Sequence, residues 1–479
     1  MREQDVRVSG ISLYTFPLKT RIPLAFGRER ATGISVLRAA VTVTGASGKR
    51  ATGYADVPLN VQWAWPSKIP PAERLETLLG CAVELADRWA EMDVSGHPME
   101  LYHAFKTEGG VASCPSRSVL PSRAWQLLLS VFDLATHDGY GAVHGVPTYE
   151  TYTPRYMSRD LGALLNGSSY AGDLALRFPR DYLVSEPQPR ILAWHMVGKE
   201  DYLTEGEVPA SAPGDGYPLS LESWIARDGL QALKIKLGAE SLEENVRRFL
   251  EVWKLARNAS VRLTSIDFNG TLPDLAALKE FLSRLRERSP EGYKSICYIE
   301  EPCAIGASTI EDITELNDGV PLLVLDESVA SVAELEEAIG EGWRGIALKT
   351  CKGQSETLLM LALAKELGLR FTVQDLTNPM LAQLTHLLLG SRSGAALGVE
   401  SNCMQFYPGA SDREAAVHRG AFTRRNGELR LDSIDGPGFG YRLDEIGRPL
   451  PEPIYWREGA ASGRGGSVGR RRVGGRDFR

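Results

Sequence analysis

Cysteine is scarce in this chain, six residues in 479, and Cys81, Cys114, Cys297, Cys303, Cys351 and Cys403 show none of the close spacings of a metal-binding or redox motif. A chain this long needs no disulfide staples, so the expectation is reduced thiols in a cytoplasmic protein. Long apolar runs are missing too. No stretch approaches the roughly 18 residues of a membrane span, and the opening MREQDVRVSG lacks the apolar core of a secretory leader. Membrane association is therefore not expected. Nor is there an excess of positive charge: 54 Lys and Arg against 61 Asp and Glu leave a net charge of -7, which attracts neither nucleic acid nor anionic lipid. A small-molecule ligand suits that balance better. What remains is ordinary globular composition, 43% hydrophobic and 24% charged, with chain enough for two or three domains.

Along the chain, Val6 to Gly45 alternates short apolar runs with Gly and Pro and predicts an antiparallel meander. Two segments stand out as loops, Arg21–Arg30 (RIPLAFGRER) and the aromatic-rich Tyr54–Pro66 (YADVPLNVQWAWP). Trp63 and Trp65 could either close over a ligand or pack at a domain interface. From Pro71 to Tyr140 apolar residues recur every three or four positions, so helices follow the meander. Residues 1–148 thus form an α+β unit, to which a return segment, 430–456, is expected to come back. Residues 149–190 are an atypical connection with scattered Pro, Gly and Ser.

Residues 191–429 then repeat strand and helix in regular alternation. The predicted strands are ILAWHMVG, ALKIKL, VRLTSID, SICYIEE, PLLVLDE, GIALK, LRFTVQD and AALGVESN, about eight in all. Ser241 with Glu244 and Ser331 with Glu334 mark helix starts, and Pro273 falls near the first turn of another. Alternation of this kind predicts an α/β fold with a parallel barrel, whose site lies at the carboxyl ends of the strands. The tail, 459–479, is Gly, Ser and Arg and is expected to be disordered. Its arginines look like an RGG-type nucleic-acid segment, but a solvated tail is the reading adopted.

Polar residues sit where the strands end. In a strand, residues two apart share a face, so Lys234 and Lys236 both point into the barrel mouth, and each disfavours the other's charge. A lysine with a lowered pKa can take a proton near neutral pH. Asp267, Glu300 and Asp326 end three successive strands; three carboxylates side by side call for a hard divalent cation, with Mg²⁺ the expected one and Mn²⁺ an alternative. Asn269 and Glu327 stand behind them as orienting groups. Lys349 ends the next strand and is expected across the mouth from Lys236, whereas Lys352 is read as solvated. His195 lies near the end of the first strand and is a candidate for the site.

These motifs, Lys234-Ile-Lys236, Asp267-Phe-Asn269, Ile299-Glu-Glu-Pro302, Leu325-Asp-Glu-Ser328 and Lys349, resemble those of the enolase superfamily, in its mandelate racemase and muconate lactonizing enzyme branch. The resemblance spans roughly Val6 to Leu450 and implies a modified TIM barrel, (β/α)7β, with an amino-terminal α+β capping domain whose two loops set substrate specificity. It implies that Lys236 is the acid/base lysine and Lys234 its pKa-lowering neighbour. By the same resemblance Asp267, Glu300 and Asp326 hold Mg²⁺, and Lys349 serves the opposite face. A lysine on each side is similar to the muconate lactonizing subgroup. The mandelate racemase pattern wants a histidine after the seventh strand, where this chain has Gln374 and Asp375. Asp375, Glu400 and Asn402, with His195 and Trp63, are the candidates for substrate contact. The connections before and after the first strand are longer than in the family, and Gly353-Gln354 stands where paired glycines are usual.

The activity implied is removal of the proton α to a carboxylate through an enediolate. The expected outcome is that of an isomerase: a racemase, epimerase or cycloisomerase. A dehydratase on the same scaffold and a catalytically silent binding protein are the alternatives. The expected partners are a small carboxylate substrate and further copies of the chain, with neither membrane nor nucleic acid involved.

Overall fold

The computed structural model describes residues 2–107, 110, 114–259, 261–319, 321–458 and 468–470. The chain opens with three antiparallel strands, β1 (Val6–Phe26), β2 (Glu29–Gly45) and β3 (Arg50–Leu59). The expected meander is longer than its apolar pattern suggested. Arg21–Arg30 is not a free loop but the end of the β1–β2 hairpin, turning at Gly27 and Arg28. Tyr54–Pro66 is likewise the end of β3 and a helical turn, Val61–Ala64, whose Trp63 N–H is capped by the Asn60 side chain at 3.1 Å.

Helices Pro71–Glu91 and Ser122–His144 cover this sheet. The second is buried along nearly its whole length, since the barrel covers its other side. Gly53 lets β3 approach it: a Cβ there would sit 2.0 Å from Gly139 N and 2.2 Å from Ala135 O, distances no side chain tolerates.

Residues 149–190 form no strand up to Arg190; they run as short helical turns along the outside of the barrel. Tyr182 donates to Glu366 at 2.6 Å and the Val184 N–H to the Arg392 carbonyl at 2.9 Å. The segment wraps two barrel helices, Gln354–Glu366 and Met380–Ser393, which explains why those helices lack a clear polar face.

The barrel has eight strands: β4 (Arg190–Val197), β5 (Ala232–Lys236), β6 (Leu263–Asp267), β7 (Ile296–Glu300), β8 (Leu322–Val324), β9 (Gly345–Leu348), β10 (Arg370–Val373) and β11 (Val399–Glu400). Every ladder along the order β8-β7-β6-β5-β4-β11-β10-β9 is parallel. The ring closes beyond β8, where Leu325 pairs with Ile346 in a single bridge. Seven helical crossovers separate the eight strands, so the fold is the (β/α)7β form of the TIM barrel with an amino-terminal cap. The Ser241–Glu244 capping box forms, and Ser331 caps its helix. Pro273 falls outside its helix, which starts at Leu275 behind the Asp274 cap.

The chain ends by returning to both units. β12 (Glu428–Arg430) runs antiparallel to β4, and β13 (Tyr455–Glu458) adds to the cap sheet beside β1. Within the stretch expected to be disordered, β14 (Val468–Arg470) pairs with β13; residues 459–467 and 471–479 lie outside the described residues.

Candidate active site

Register places the carboxylates. Lys236 pairs with Asp267 and Asp267 with Glu300 across neighbouring ladders, so all three reach the rim at one level. Asp326 lies two residues past the end of β8, and Lys349 follows β9 directly. Because side chains alternate along a strand, Ala232, Lys234 and Lys236 face inward, above an inner layer of Trp194, Ala232, Tyr298, Val324 and Ala347. β5 and β9 are fourth neighbours in an eight-stranded ring, so Lys236 and Lys349 stand across the mouth from one another.

The lysines and acids interlock. Lys234 Nζ contacts Glu300 at 2.7 Å, Glu400 at 3.0 Å and Asp267 at 3.2 Å. It also donates to the Gln374 side-chain carbonyl at 3.1 Å. Lys236 is hydrogen-bonded to Asp267 Oδ2, and Lys349 donates to Asp326 Oδ2 at 2.6 Å. Burial opposes the charge on Lys234, yet Glu300, Glu400 and Asp267 raise its pKa well above the ordinary lysine value. Burial likewise opposes the charge on Asp267, but Lys236 and then Lys234 hold it down at about 2. Lys349 acts in the same way on Asp326, against burial, and lowers it further. Glu300 goes the other way, pushed up by burial and then by the Asp267 charge.

The oxygens that come within 4.8 Å of one another belong to Glu300, Asp326 and Glu327. Asp267 is beside this group and not in it. Its Oδ1 accepts the Asn269 N–H at 2.8 Å, and its Oδ2 is taken by the two lysines. Asn269 links the two sets, donating to Glu327 at 2.8 Å. Three buried oxygens here, Asn269 Oδ1, Asp326 Oδ1 and Glu327 Oε2, accept no hydrogen bond among the described residues, although Lys352 Nζ lies 3.2 Å from Asp326 Oδ1. Buried acceptors left in this state are costly unless a cation or donor meets them. An all-oxygen set of carboxylates and an amide suits a hard divalent cation such as Mg²⁺. Two residues next to these acids adopt left-handed backbone, Asn269 at φ 48° and Glu301 at φ 38°. For a glutamate this is strained. The gain is visible, because the Glu301 carboxylate accepts the Asp326 N–H at 2.8 Å and so holds the backbone of the acid beside it.

Two expectations are corrected. His195 does not enter the cleft. It pairs in register with Leu233, one step out of phase with Lys234, and so faces outward to Trp224, 5.5 Å away between ring centroids. Its neighbour Met196, in register with Lys234, takes the inward place. Lys352 is not solvated. It is 1% exposed, and its Nζ donates to the carbonyls of Asp326 and Ala347, each at 2.9 Å. It bridges the seam between β8 and β9, where the ladder is reduced to one bridge.

The other candidates fall as follows. Asp375 and Glu400 line the cleft. Asn402 stands behind them, donating from its amide to Glu400 at 2.6 Å and to Asp375 at 3.3 Å. Trp63 lies over Lys349, 5.1 Å from ring centroid to Nζ, and Phe26 over Lys236 at 6.0 Å. Both cap segments therefore reach the cleft. Gln374 ties Glu300 to Lys234, donating to Glu300 at 2.6 Å, a role that sequence left unassigned.

Comparison with known proteins agrees with this fold. Residues 219–446 match the family model described as enolase C-terminal domain-like. Among curated proteins none matches the sequence. Among solved structures, an N-succinyl Arg/Lys racemase from Bacillus cereus aligns at TM-score 0.59 and 16% identity, covering 92% of this chain and 97% of the other. The L-Ala-D/L-Glu epimerase of Bacillus subtilis aligns at 0.59 and 14%, covering 91% and 99%. A dipeptide epimerase from Cytophaga hutchinsonii, complexed with Mg and a dipeptide, aligns at 0.53 and 16%, covering 83% and 86%. At such identities the likeness carries the fold.

Proposed function

We propose that the chain, whose residues 219–446 match the enolase C-terminal domain-like family model, is a member of the mandelate racemase/muconate lactonizing enzyme branch of the enolase superfamily and a Mg²⁺-dependent isomerase acting on the carbon next to a carboxylate. The single observation that carries this reading is the pair Lys236 and Lys349, standing across the mouth on either side of the Glu300, Asp326 and Glu327 oxygens.

Glu300 and Asp326 would hold the ion with Asp267 beside them, and Glu327 and Asn269 would supply the further oxygens nearest to them. A bound Mg²⁺ supplies electrostatic stabilisation of the negative charge that develops on the substrate's carboxylate. The protein's own residues do the rest. Lys236 takes the α proton on one face, and Lys349, held charged, returns one on the other, so that a stereocentre is inverted. Run in reverse, the lysines exchange roles. Lys234 stays protonated among three carboxylates and keeps a fixed positive charge two residues from Lys236. Phe26 and Trp63, one over each of these amines, exclude water from the reacting centre.

Incubation in D₂O with a panel of chiral carboxylic acids, with and without Mg²⁺, tests this. Deuterium should enter the α position only with the metal, and the carbon skeleton should be retained. Lys236→Met should abolish exchange from one enantiomer and Lys349→Met from the other. Loss of water from the substrate would instead identify a dehydratase, and absence of exchange with every acid would remove the catalytic reading.

A further inference from the structure

The charges lining the cleft restrict what can enter it. This inference rests on reading the cleft as the reaction site. Among the described residues the lining cations are Lys234, Lys236 and Lys349, and each is already in contact with a carboxylate. Arg123 is nearby, but its guanidinium lies 5.0 Å over the Trp63 ring and is not part of the lining. Asp375 faces the same cleft, and its oxygens accept the N–H groups of Asn378 and Asn402 and the Asn402 amide. No lysine, arginine or histidine among the described residues comes within 4.0 Å of it. The rest of the lining is divided: Leu24, Phe26, Trp63, Met196 and Leu376 are apolar, while Asn60, Thr377 and three further acids, Asp326, Glu327 and Glu400, are polar and add no cation.

A single carboxylate can be met at the reacting centre. A second would find no uncommitted cation among the lining residues, and it would face Asp375. A desolvated charge without a partner is strongly disfavoured, and a like charge fixed nearby adds to the penalty. We propose that the substrate is a monocarboxylate with a predominantly apolar remainder lying against Phe26, Trp63 and Met196, and that Asp375 excludes molecules bearing a second acid.

Hexanoate and adipate have the same number of carbons and differ by one terminal carboxylate, which makes them suitable probes. In calorimetric titrations with MgCl₂ present, hexanoate should bind at least about tenfold more tightly than adipate. In Asp375→Asn the ratio of the two affinities should fall by about threefold or more. Leu376→Arg, which adds a cation to the same wall, should move the preference toward adipate without depending on the Asp375 hydrogen bonds. Circular dichroism would establish that both variants are folded. Equal or tighter binding of adipate by the unmodified protein would overturn the proposal, as would binding of neither probe. A preference for adipate combined with deuterium exchange into other acids would remove this inference and leave the isomerase reading standing. A preference for hexanoate without exchange into any acid would do the opposite.

Discussion

Arg21 and Asp215 form a two-pronged ion pair, Nη2 to Oδ1 at 2.6 Å and Nε to Oδ2 at 2.7 Å, that ties the cap hairpin to the long connection after β4. The same guanidinium donates to the carbonyls of Tyr217 and Pro218. Lys199 reaches the Gly27 carbonyl at 3.1 Å, and Arg30 pairs with Glu200. The unusually long connection is thus what holds Leu24 and Phe26 over the cleft. Asp215→Asn should loosen the hairpin, and trypsin should then cut after Arg28 or Arg30 about three to ten times faster, consistent with a pair worth roughly 1 kcal/mol at a partly exposed site. KM should rise more than kcat falls. Unchanged cleavage in both Asp215→Asn and Arg21→Met would show that the hairpin is held by something else.

Lys352 is expected to be a stability determinant of the barrel seam. Lys352→Met keeps the volume and removes the charge, leaving the carbonyls of Asp326 and Ala347 without their donor and the Asp326 carboxylate without one of its neighbouring cations. The cost should be about 3 kcal/mol, the usual range for breaking a buried pair from one side, read as a lower urea midpoint. A change below about 1 kcal/mol would mean that the seam has no need of it.

His195 should be dispensable for chemistry. Burial pushes its pKa well below the ordinary value, so the ring is neutral, and its Nδ1 makes no hydrogen bond among the described residues. His195→Phe should alter the deuterium-exchange rate by less than about threefold, since no group in the cleft is touched. Met196→Trp, one residue on, should obstruct the cleft and raise KM at least tenfold by overpacking the inward position, roughly 1.4 kcal/mol or more. Equal effects at the two positions would contradict the register.

Asp138 should make the stability of the cap depend on pH. Its carboxyl is buried and accepts the N–H groups of Tyr54 and Phe439, and burial pushes its pKa up to about 7 from 3.8. Between those values the folded protein binds a proton that the unfolded chain has released. Stability from this group is therefore greatest at low pH and declines as pH rises from about 4 to about 7. Asp138→Asn should flatten that part of the profile, measured as the urea midpoint at pH 5 and pH 8 for both proteins. A parallel offset at the two pH values would show that Asp138 does not titrate there.

Much of this architecture could be read directly from the residues. Alternating apolar runs and helical spacing are local properties, and they located all eight barrel strands, the cap meander and the helices between. The acids and lysines were legible for the same reason: Asp267, Glu300, Asp326 and Lys349 each lie within two residues of a strand's end, and Lys234 and Lys236 share a face by the two-residue period of β structure. The direction a side chain takes once its strand is placed was not legible. His195 and Met196 are adjacent, and only pairing with Leu233 and Lys234 on another strand decides which looks inward. Lys352 has the surroundings of an ordinary turn residue until β8 and β9 bring two carbonyls to it.

The amino-acid order by itself determined which elements form and which of their ends carry charge, because periodicity and capping depend on neighbours within a few positions. The tertiary structure alone decided that Glu327, rather than Asp267, shares the oxygen cluster, that Gln374 joins Glu300 to Lys234, and that Trp63 and Phe26 cover the two amines. Those relations join residues tens to hundreds of positions apart. They depend on ladder register and on how the cap docks, which no local pattern encodes.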